Sequence, residues 1–173
     1  MQVEVCVQQG LDESDQQASR TTIAPETWES WFQQWLTVLQ PDLSPVQEYE
    51  LSLRLTDDRE IQTLNAQYRQ QDKPTDVLAF AALEVESPQL DDLGAEQPLY
   101  LGDIVISLDT AQRQAEAQGH PLSTELVWLA AHGLLHLLGW DHPDEDSLLQ
   151  MLNQQQKLLS TVGLSIQDGL YSS

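Results

Sequence analysis

Alternation of apolar and polar residues along the chain predicts the first elements of a β-sheet. The alternation is clear in Val3–Val7, which we expect to lie at an edge of the sheet, and it is strict in Tyr49–Leu55. Two further strands are predicted at Asp76–Ala82 and Asp103–Ser107. The chain therefore has the material for a four-stranded sheet.

Apolar residues recurring every three or four positions predict helices between and after these strands. The first helix is expected at Pro25–Leu39, because proline suits a first helical turn. A second is expected to start near Thr56–Glu60, where Thr or Asp can cap it and acidic residues follow, and to end near Arg69. The predicted C-terminal helices are about Leu108–Gln118, Ser123–Leu138 and Pro143–Leu159.

The helix at residues 25–39 carries a stripe of large apolar side chains on one face. Its members are Trp28, Trp31, Phe32, Trp35, Leu36 and Leu39. A platform for stacking nucleobases is one interpretation of these aromatic residues. A face buried in the core is the interpretation that we favour.

The order of elements is strand, helix, strand, helix, two strands and three helices, which predicts one α+β domain over residues 1–173. We expect a mixed sheet with helices packed on it, parallel where helices separate the strands and antiparallel for the last two strands. Residues 10–20 and 84–99 are expected to be loops, and residues 164–173 a tail. A largely apolar, metzincin-like histidine helix near the C-terminal end should pack across the sheet.

The composition of the chain is typical of a cytoplasmic protein with a single core. The chain of 173 residues is 40% hydrophobic, which suffices for a single core, and its lone Cys6 fits a reducing cytosol. Neither a signal peptide nor an apolar run of the roughly 20 residues that a membrane span needs is apparent, so we expect a cytoplasmic protein with no membrane partner.

Charge is the unusual bulk property, with 28 acidic residues against seven basic ones and a net charge of −21. This balance argues against broad, nonspecific binding to nucleic acid or to anionic membranes. Four of the seven basic residues nevertheless cluster in sequence, namely Arg54, Arg59, Arg69 and Lys73. They fit either a local basic groove or a solvated helix face.

Three of the four histidines fall within the segment HGLLHLLGWDH at residues 132–142. His132 and His136 are four residues apart, so a helix projects both imidazoles from one face. Gly139 can end the helix in a left-handed turn that brings His142 to a third coordination position. The spacing is that of metzincin proteases, and three imidazoles leave a fourth position open for water on a catalytic zinc ion. The sequence therefore predicts one zinc ion held by His132, His136 and His142, although a three-histidine site also accepts nickel, copper or cobalt.

One position departs from protease chemistry. Zinc proteases place a glutamate directly after the first histidine as general base, and this chain has Gly133 there. Peptide hydrolysis must protonate a poor leaving group, whereas phosphodiester cleavage depends more on positioning, charge neutralisation and a metal-activated nucleophile. The pattern favours phosphoryl transfer over proteolysis.

At these residues the chain resembles the YbeY family of bacterial rRNA-maturation endoribonucleases, from about Leu51 to Leu159. Three motifs in order carry the resemblance: LNAQYR and DKPTDVLAF at 64–69 and 72–80, LGDIVIS at 101–107, and the histidine segment. Trp140 replaces the family's usual Tyr, Ala79 replaces a common Ser, and the segment after Phe80 lacks a typical proline. None of these departures touches the expected metal ligands.

The resemblance implies a metal-dependent endoribonuclease that cleaves single-stranded RNA in 16S rRNA maturation and ribosome quality control, which the histidine spacing above makes zinc-dependent. Its implied partners are rRNA and ribosomal particles or a ribosome-associated protein. The resemblance also implies a functional role for Arg69, which we expect to grip a phosphate, although a cation at a helix end needs no such role. Asp103 fits a base or orienting residue at a strand end, and equally a Gly-Asp turn entering the strand.

Three other polar residues near these motifs fit structural roles better than catalytic ones. Asp141 can orient an imidazole but suits a turn, and Thr75 and Asp76 suit local hydrogen bonds. Two other functions stay open: a metallopeptidase whose base comes from elsewhere, such as Asp103, and a non-enzymatic ribosome-assembly factor stabilised by zinc.

Overall fold

The four predicted strands form one sheet in the computed structural model, which describes residues 2–9, 23–41, 47–82, 98–140 and 144–164. The strands are β1 (Gln2–Gln9), β2 (Glu48–Thr56), β3 (Val77–Ala81) and β4 (Leu99–Ser107). Their order in the sheet is β1-β2-β4-β3. β1 thus lies at an edge, as the sequence predicted for Val3–Val7, and β3 lies at the other edge.

The directions of the strands also match the prediction. β1 pairs with β2 in parallel, β2 with β4 in parallel, and β3 with β4 antiparallel. The predicted single α+β domain with a four-stranded mixed sheet is confirmed. The prediction of a loop reaching residue 99 was slightly too long, since β4 already begins at Leu99.

β4 is longer than the strand predicted at Asp103–Ser107, and Gly102 lies inside it. The strand starts at Leu99, four residues before Asp103. The register between β2 and β4 shifts at Glu50/Leu51, and the two strands are paired on both sides of this irregularity. Gly102 and Asp103 therefore lie within the strand and not in a turn that enters it. A side chain at Gly102, where φ is +139°, would place its Cβ only 2.2 Å from the carbonyl oxygen of Phe80.

Five helices accompany the sheet in the described residues. They are α1 (Pro25–Leu39), α2 (Asp58–Arg69), α3 (Leu108–Gln118), α4 (Leu122–Leu137) and α5 (Glu145–Thr161). Pro25 occupies the first turn of α1, and the side chains of Asp57, Ser107 and Asp144 accept backbone N–H bonds at the starts of α2, α3 and α5. Polar residues thus begin three of the helices, among them α2, for which the sequence predicted a Thr or Asp cap.

The main core lies between the sheet and helices α1, α4 and α5. Trp28, Phe32 and Trp35 of α1 are completely buried, which confirms the interpretation of the aromatic stripe as core. The Trp35 Nε1–H donates to the carbonyl oxygen of Leu158 at 2.9 Å, which ties α1 to α5. A smaller cluster of Ile61, Leu78 and Val105 joins α2 to the opposite face of the sheet.

Asp58 connects the first turns of α2 and α3. Its carboxylate accepts from the hydroxyls of Ser107 and Thr110, both at 2.6 Å, and from Arg113 at 2.9 Å. Burial raises the pKa of Asp58, but these hydrogen bonds outweigh burial and hold the pKa below its ordinary value.

The predicted loop at 10–20, most of the one at 84–99 and the tail after Leu164 lie outside the described residues, as do Asp141 and His142. Within the ranges that the structure does describe, no helix is long and apolar enough to cross a membrane.

Candidate active site

His132 and His136 project from the same face of α4, as their four-residue spacing predicts. Their Nε2 atoms are 3.0 Å apart, and the ring centroids are 4.5 Å apart with planes inclined by 74°. Most of α4 is buried, and the two imidazoles are among its partly exposed residues. The helix thus brings two imidazole nitrogens together at one point at the margin of the core.

α4 ends directly after this pair. Gly139 has φ +96°, its N–H donates to the carbonyl oxygen of His136 at 3.0 Å, and the Trp140 N–H donates to Leu135 at 2.9 Å. These bonds satisfy carbonyls at the helix end through a left-handed residue. The predicted left-handed turn at Gly139 is confirmed, whereas the position of His142 stays a prediction.

Gln155 of α5 is a buried partner of the site that the sequence analysis missed. Its Oε1 lies 3.1 Å from Nδ1 of His132, and its Nε2 donates to the carbonyl oxygen of Trp128 at 3.3 Å. The signal that could have found it is a polar residue on the apolar face of α5, in line with Met151, Leu158 and Leu159.

Gly133 lies where α4 approaches the sheet most closely. A Cβ there would meet Cγ2 of Ile104 at 2.8 Å, and Ile104 is fully buried in β4. The backbone of α4 therefore lies too close to β4 for a side chain at this position. A glutamate at this position would have to displace Ile104 or the helix, which gives a steric reason for its absence.

Arg69 lies across a cleft from the histidines. The cleft has a volume of about 490 Å³ and is lined by residues of α2, β3 and α4 and of the turn after α4. Among its lining residues are Arg69, Ala79, His132, His136 and Trp140. The sequence-predicted phosphate contact and two of the predicted metal ligands thus share one cleft.

The edge strand holds the Arg69 guanidinium in place. Its Nη2 donates to the carbonyl oxygen of Ala79 at 2.6 Å, and its Cζ lies 5.3 Å from the centroid of the Phe80 ring. Buried Asn65 supports the connection from α2 to β3 by donating to the carbonyl oxygen of Lys73 at 3.0 Å. A guanidinium has five N–H donors in a planar fork, so anchoring one of them leaves others for an anion in the cleft.

Asp103 faces the other side of the sheet. Side chains alternate along β4, so Asp103 and Val105 point away from the face on which Ile104 meets α4. The Tyr100 hydroxyl donates to the Asp103 carboxylate, and both burial and this bond raise the pKa of Tyr100 to about 12. Asp103 is not among the residues that line the cleft shared by the two histidines and Arg69.

The remaining polar candidates make structural contacts. Asp76 accepts from the backbone N–H of Val77 at 2.7 Å, in line with the predicted local role. Arg54 pairs with Glu60, with Nη2 to Oε2 at 2.9 Å, so this member of the basic cluster is neutralised. His120, the histidine outside the 132–142 segment, lies 2.7 Å from Oε1 of the fully buried Glu125.

The histidine pair fits a zinc ion. Two Zn–N bonds of about 2.0–2.1 Å at a tetrahedral angle place the nitrogens about 3.3 Å apart. The observed separation of 3.0 Å needs only a small adjustment of the rings. Within the described ranges no three His, Cys, Asp or Glu residues come together at one point. His142, the predicted third ligand, lies outside those ranges.

The fold and the cleft define a class: a single-domain α+β protein in which paired imidazoles and an arginine line a common cleft. A profile of the family described as Endoribonuclease YbeY matches residues 13–163. The chain belongs to this family, which confirms the resemblance and the prediction of a hydrolase-class enzyme.

Two relatives and one solved structure show the extent of the similarity. Endoribonuclease YbeY of Nostoc sp. is 59% identical over 172 residues, covering 96% of this chain and 93% of that protein. Endoribonuclease YbeY of Trichodesmium erythraeum is 64% identical over 136 residues, covering 79% and 74%. The solution structure of TM1509 from Thermotoga maritima shares the fold, with a TM-score of 0.52, 20% identity, and coverage of 91% of this chain and 88% of that one.

Proposed function

We propose that this protein is a zinc-dependent endoribonuclease that hydrolyses phosphodiester bonds in single-stranded RNA. We further propose that it acts in 16S rRNA maturation and ribosome quality control in the cytoplasm, on ribosomal particles or with a ribosome-associated protein. The observation that carries the proposal is that the histidine pair and Arg69 line one cleft. The names of the relatives support RNA as the substrate.

In this proposal His132, His136 and His142 hold the zinc ion. When bound by three imidazoles, zinc supplies a Lewis acid that lowers the pKa of water to about 7. Arg69 binds the scissile phosphate and stabilises negative charge on its oxygens as attack proceeds. Because the edge strand already orients its guanidinium, little reorganisation is needed when substrate binds.

Asp103 has no part in the proposed reaction, because its carboxylate lies on the far face of the sheet and accepts from Tyr100. This placement also weakens the metallopeptidase alternative in the form that takes Asp103 as its base. Position 133 cannot supply that base either, because Gly133 has no side chain.

The test compares wild-type protein with Arg69→Met and with Arg59→Met, a matched change at an exposed arginine of α2 that does not line the cleft. With zinc-loaded protein and single-stranded RNA, Arg69→Met should reduce cleavage by about 10²-fold or more, as for loss of a transition-state donor. Arg59→Met should cleave at the wild-type rate. Equal cleavage by both variants would exclude Arg69 from the reaction.

The proposed role on the ribosome needs a second experiment. Wild type and His136→Ala are incubated with precursor rRNA in assembled particles, and the RNA ends are mapped. New mature ends should appear with wild type alone. Zinc-loaded wild type that leaves both free RNA and particle RNA intact would contradict the proposal and favour a non-enzymatic assembly factor. The chemistry of the product ends would distinguish attack by water from attack by the RNA 2′-hydroxyl.

A further inference from the structure

We propose that Gln155 is a positioning residue for the metal ligand His132. It holds the imidazole in the tautomer that presents Nε2 to the metal, and it fixes the plane of the ring before any metal arrives. The inference deepens the proposed function and rests on it, since it assigns the support of one of the proposed zinc ligands.

The orientation of the Gln155 amide follows from the group at its far end. One end lies 3.3 Å from the carbonyl oxygen of Trp128, which can only accept a hydrogen bond. That end must therefore be the NH₂ group, and the other end, 3.1 Å from Nδ1 of His132, must be the carbonyl oxygen.

The tautomer of His132 follows in turn. The Gln155 Oε1 can only accept, so Nδ1 of His132 must carry a hydrogen. A neutral imidazole has a single N–H, which leaves the lone pair on Nε2. Nε2 is the atom that lies 3.0 Å from Nε2 of His136, on the side of the ring where a shared metal would bind. The contact with Gln155 thus selects the ligating nitrogen.

The amide is rigid as well as correctly directed. Gln155 is completely buried, and it sits on α5 among Met151, Leu158 and Leu159, which are also completely buried. Its two partners, Trp128 and His132, lie one turn apart on α4. The amide therefore spans one turn of the neighbouring helix and has no solvent into which to swing.

A buried glutamine could instead serve only to join α4 and α5. Loss of a purely structural contact would lower the stability of the protein. It would leave unchanged both the nitrogen of His132 that carries the hydrogen and the affinity for metal. Partners of this kind, which bond the second nitrogen of a ligating histidine, change metal affinity by about 10–100-fold when removed.

The test uses Gln155→Leu, which has a similar volume without polar atoms, and Gln155→Glu, which keeps an acceptor for Nδ1–H. Gln150→Leu, on the exposed side of α5, is the matched control. Zinc affinity is measured by competition with a chromophoric chelator, and the histidine tautomers by long-range ¹H–¹⁵N spectra of metal-free protein. Thermal unfolding is recorded for each variant.

We expect wild type to show His132 protonated on Nδ1. Gln155→Leu should lose that preference and bind zinc about 10–100-fold more weakly. Gln155→Glu should stay within a few-fold of wild type, and Gln150→Leu should match it. Wild-type zinc affinity and tautomer in Gln155→Leu would overturn the inference.

If Gln155→Leu does not fold, the ¹H–¹⁵N spectrum of metal-free wild type still tests the inference. A hydrogen on Nε2 of His132 in that spectrum would overturn it. Failure of wild type itself to bind zinc would instead contradict the proposed function, including the role of His132 as a zinc ligand. The two failures are therefore distinguishable.

Discussion

Replacing Gly133 by alanine tests whether close contact between α4 and the sheet positions the site. The new Cβ would lie 2.8, 3.1 and 3.2 Å from Cγ2, Cγ1 and Cδ1 of Ile104. An ordinary contact between carbon atoms is about 3.5–4.0 Å, so helix and strand must separate by roughly 0.7 Å. Ile104 lies in β4, between β2 and β3, and is completely buried, so it has little freedom to move.

Two opposing effects set the magnitude. Helix propensity favours alanine over glycine by about 1 kcal/mol. Overpacking a rigid core costs about 1–3 kcal/mol, and a β-branched neighbour in an inner strand places this site in the upper part of that range. We therefore expect a net destabilisation of about 1–2 kcal/mol, which for a chain of this length lowers Tm by about 2–8 °C.

The assay is urea unfolding of Gly133→Ala in a double-mutant cycle with Ile104→Ala and Ile104→Val. Ile104→Ala removes all three clashing atoms, so it should relieve the clash and give a favourable coupling with Gly133→Ala. Ile104→Val keeps Cγ2, the atom at 2.8 Å, so its coupling should be much smaller. Zinc affinity should also fall in Gly133→Ala, because displacement of α4 moves His132 away from Gln155.

Gly133→Ala as stable as wild type, or more stable, would refute the argument, because helix propensity would then outweigh the contact with Ile104. Equal coupling with the Ala and Val variants would show that the three atoms of Ile104 do not cause the effect.

Three further changes test other parts of the structure. Gly139→Ala should lower the free energy of unfolding by about 1–2 kcal/mol, because φ is +96° and the space around the new Cβ is open, so backbone strain alone acts. Urea unfolding measures the loss, and Gly139→Asn should lose less. Asp58→Asn should destabilise the protein by about 1 kcal/mol at neutral pH. Because the folded-state pKa of Asp58 is lowered from 3.8, its contribution is fully present above that pH and is lost as pH falls through the folded-state value. The difference from wild type should therefore shrink during acid titration followed by circular dichroism, and a difference that grew on acidification would contradict the sign. Trp35→Phe removes the donor to the buried carbonyl of Leu158 and should cost about 1–3 kcal/mol in thermal unfolding, whereas an unchanged Tm would show that the bond contributes little.

Local patterns predicted most of the elements. The helix at Pro25–Leu39 has the predicted bounds, and the α3 helix Leu108–Gln118 does too, because proline, Ser107 and Gly119 mark the ends chemically. The start of β4 was missed, since a glycine in a strand resembles a turn until the partner strand shows the irregularity in register.

For the candidate site, the sequence by itself determined the pairing of His132 with His136, because four-residue spacing on a helix is local geometry. It likewise determined the left-handed end at Gly139. Only the tertiary structure decided that Asp103 faces away, that Ile104 excludes a side chain at position 133, and that Gln155 supports His132. The last two contacts join residues that lie 23 or more positions apart along the chain, so they depend on how helices pack on the sheet, which no local period encodes.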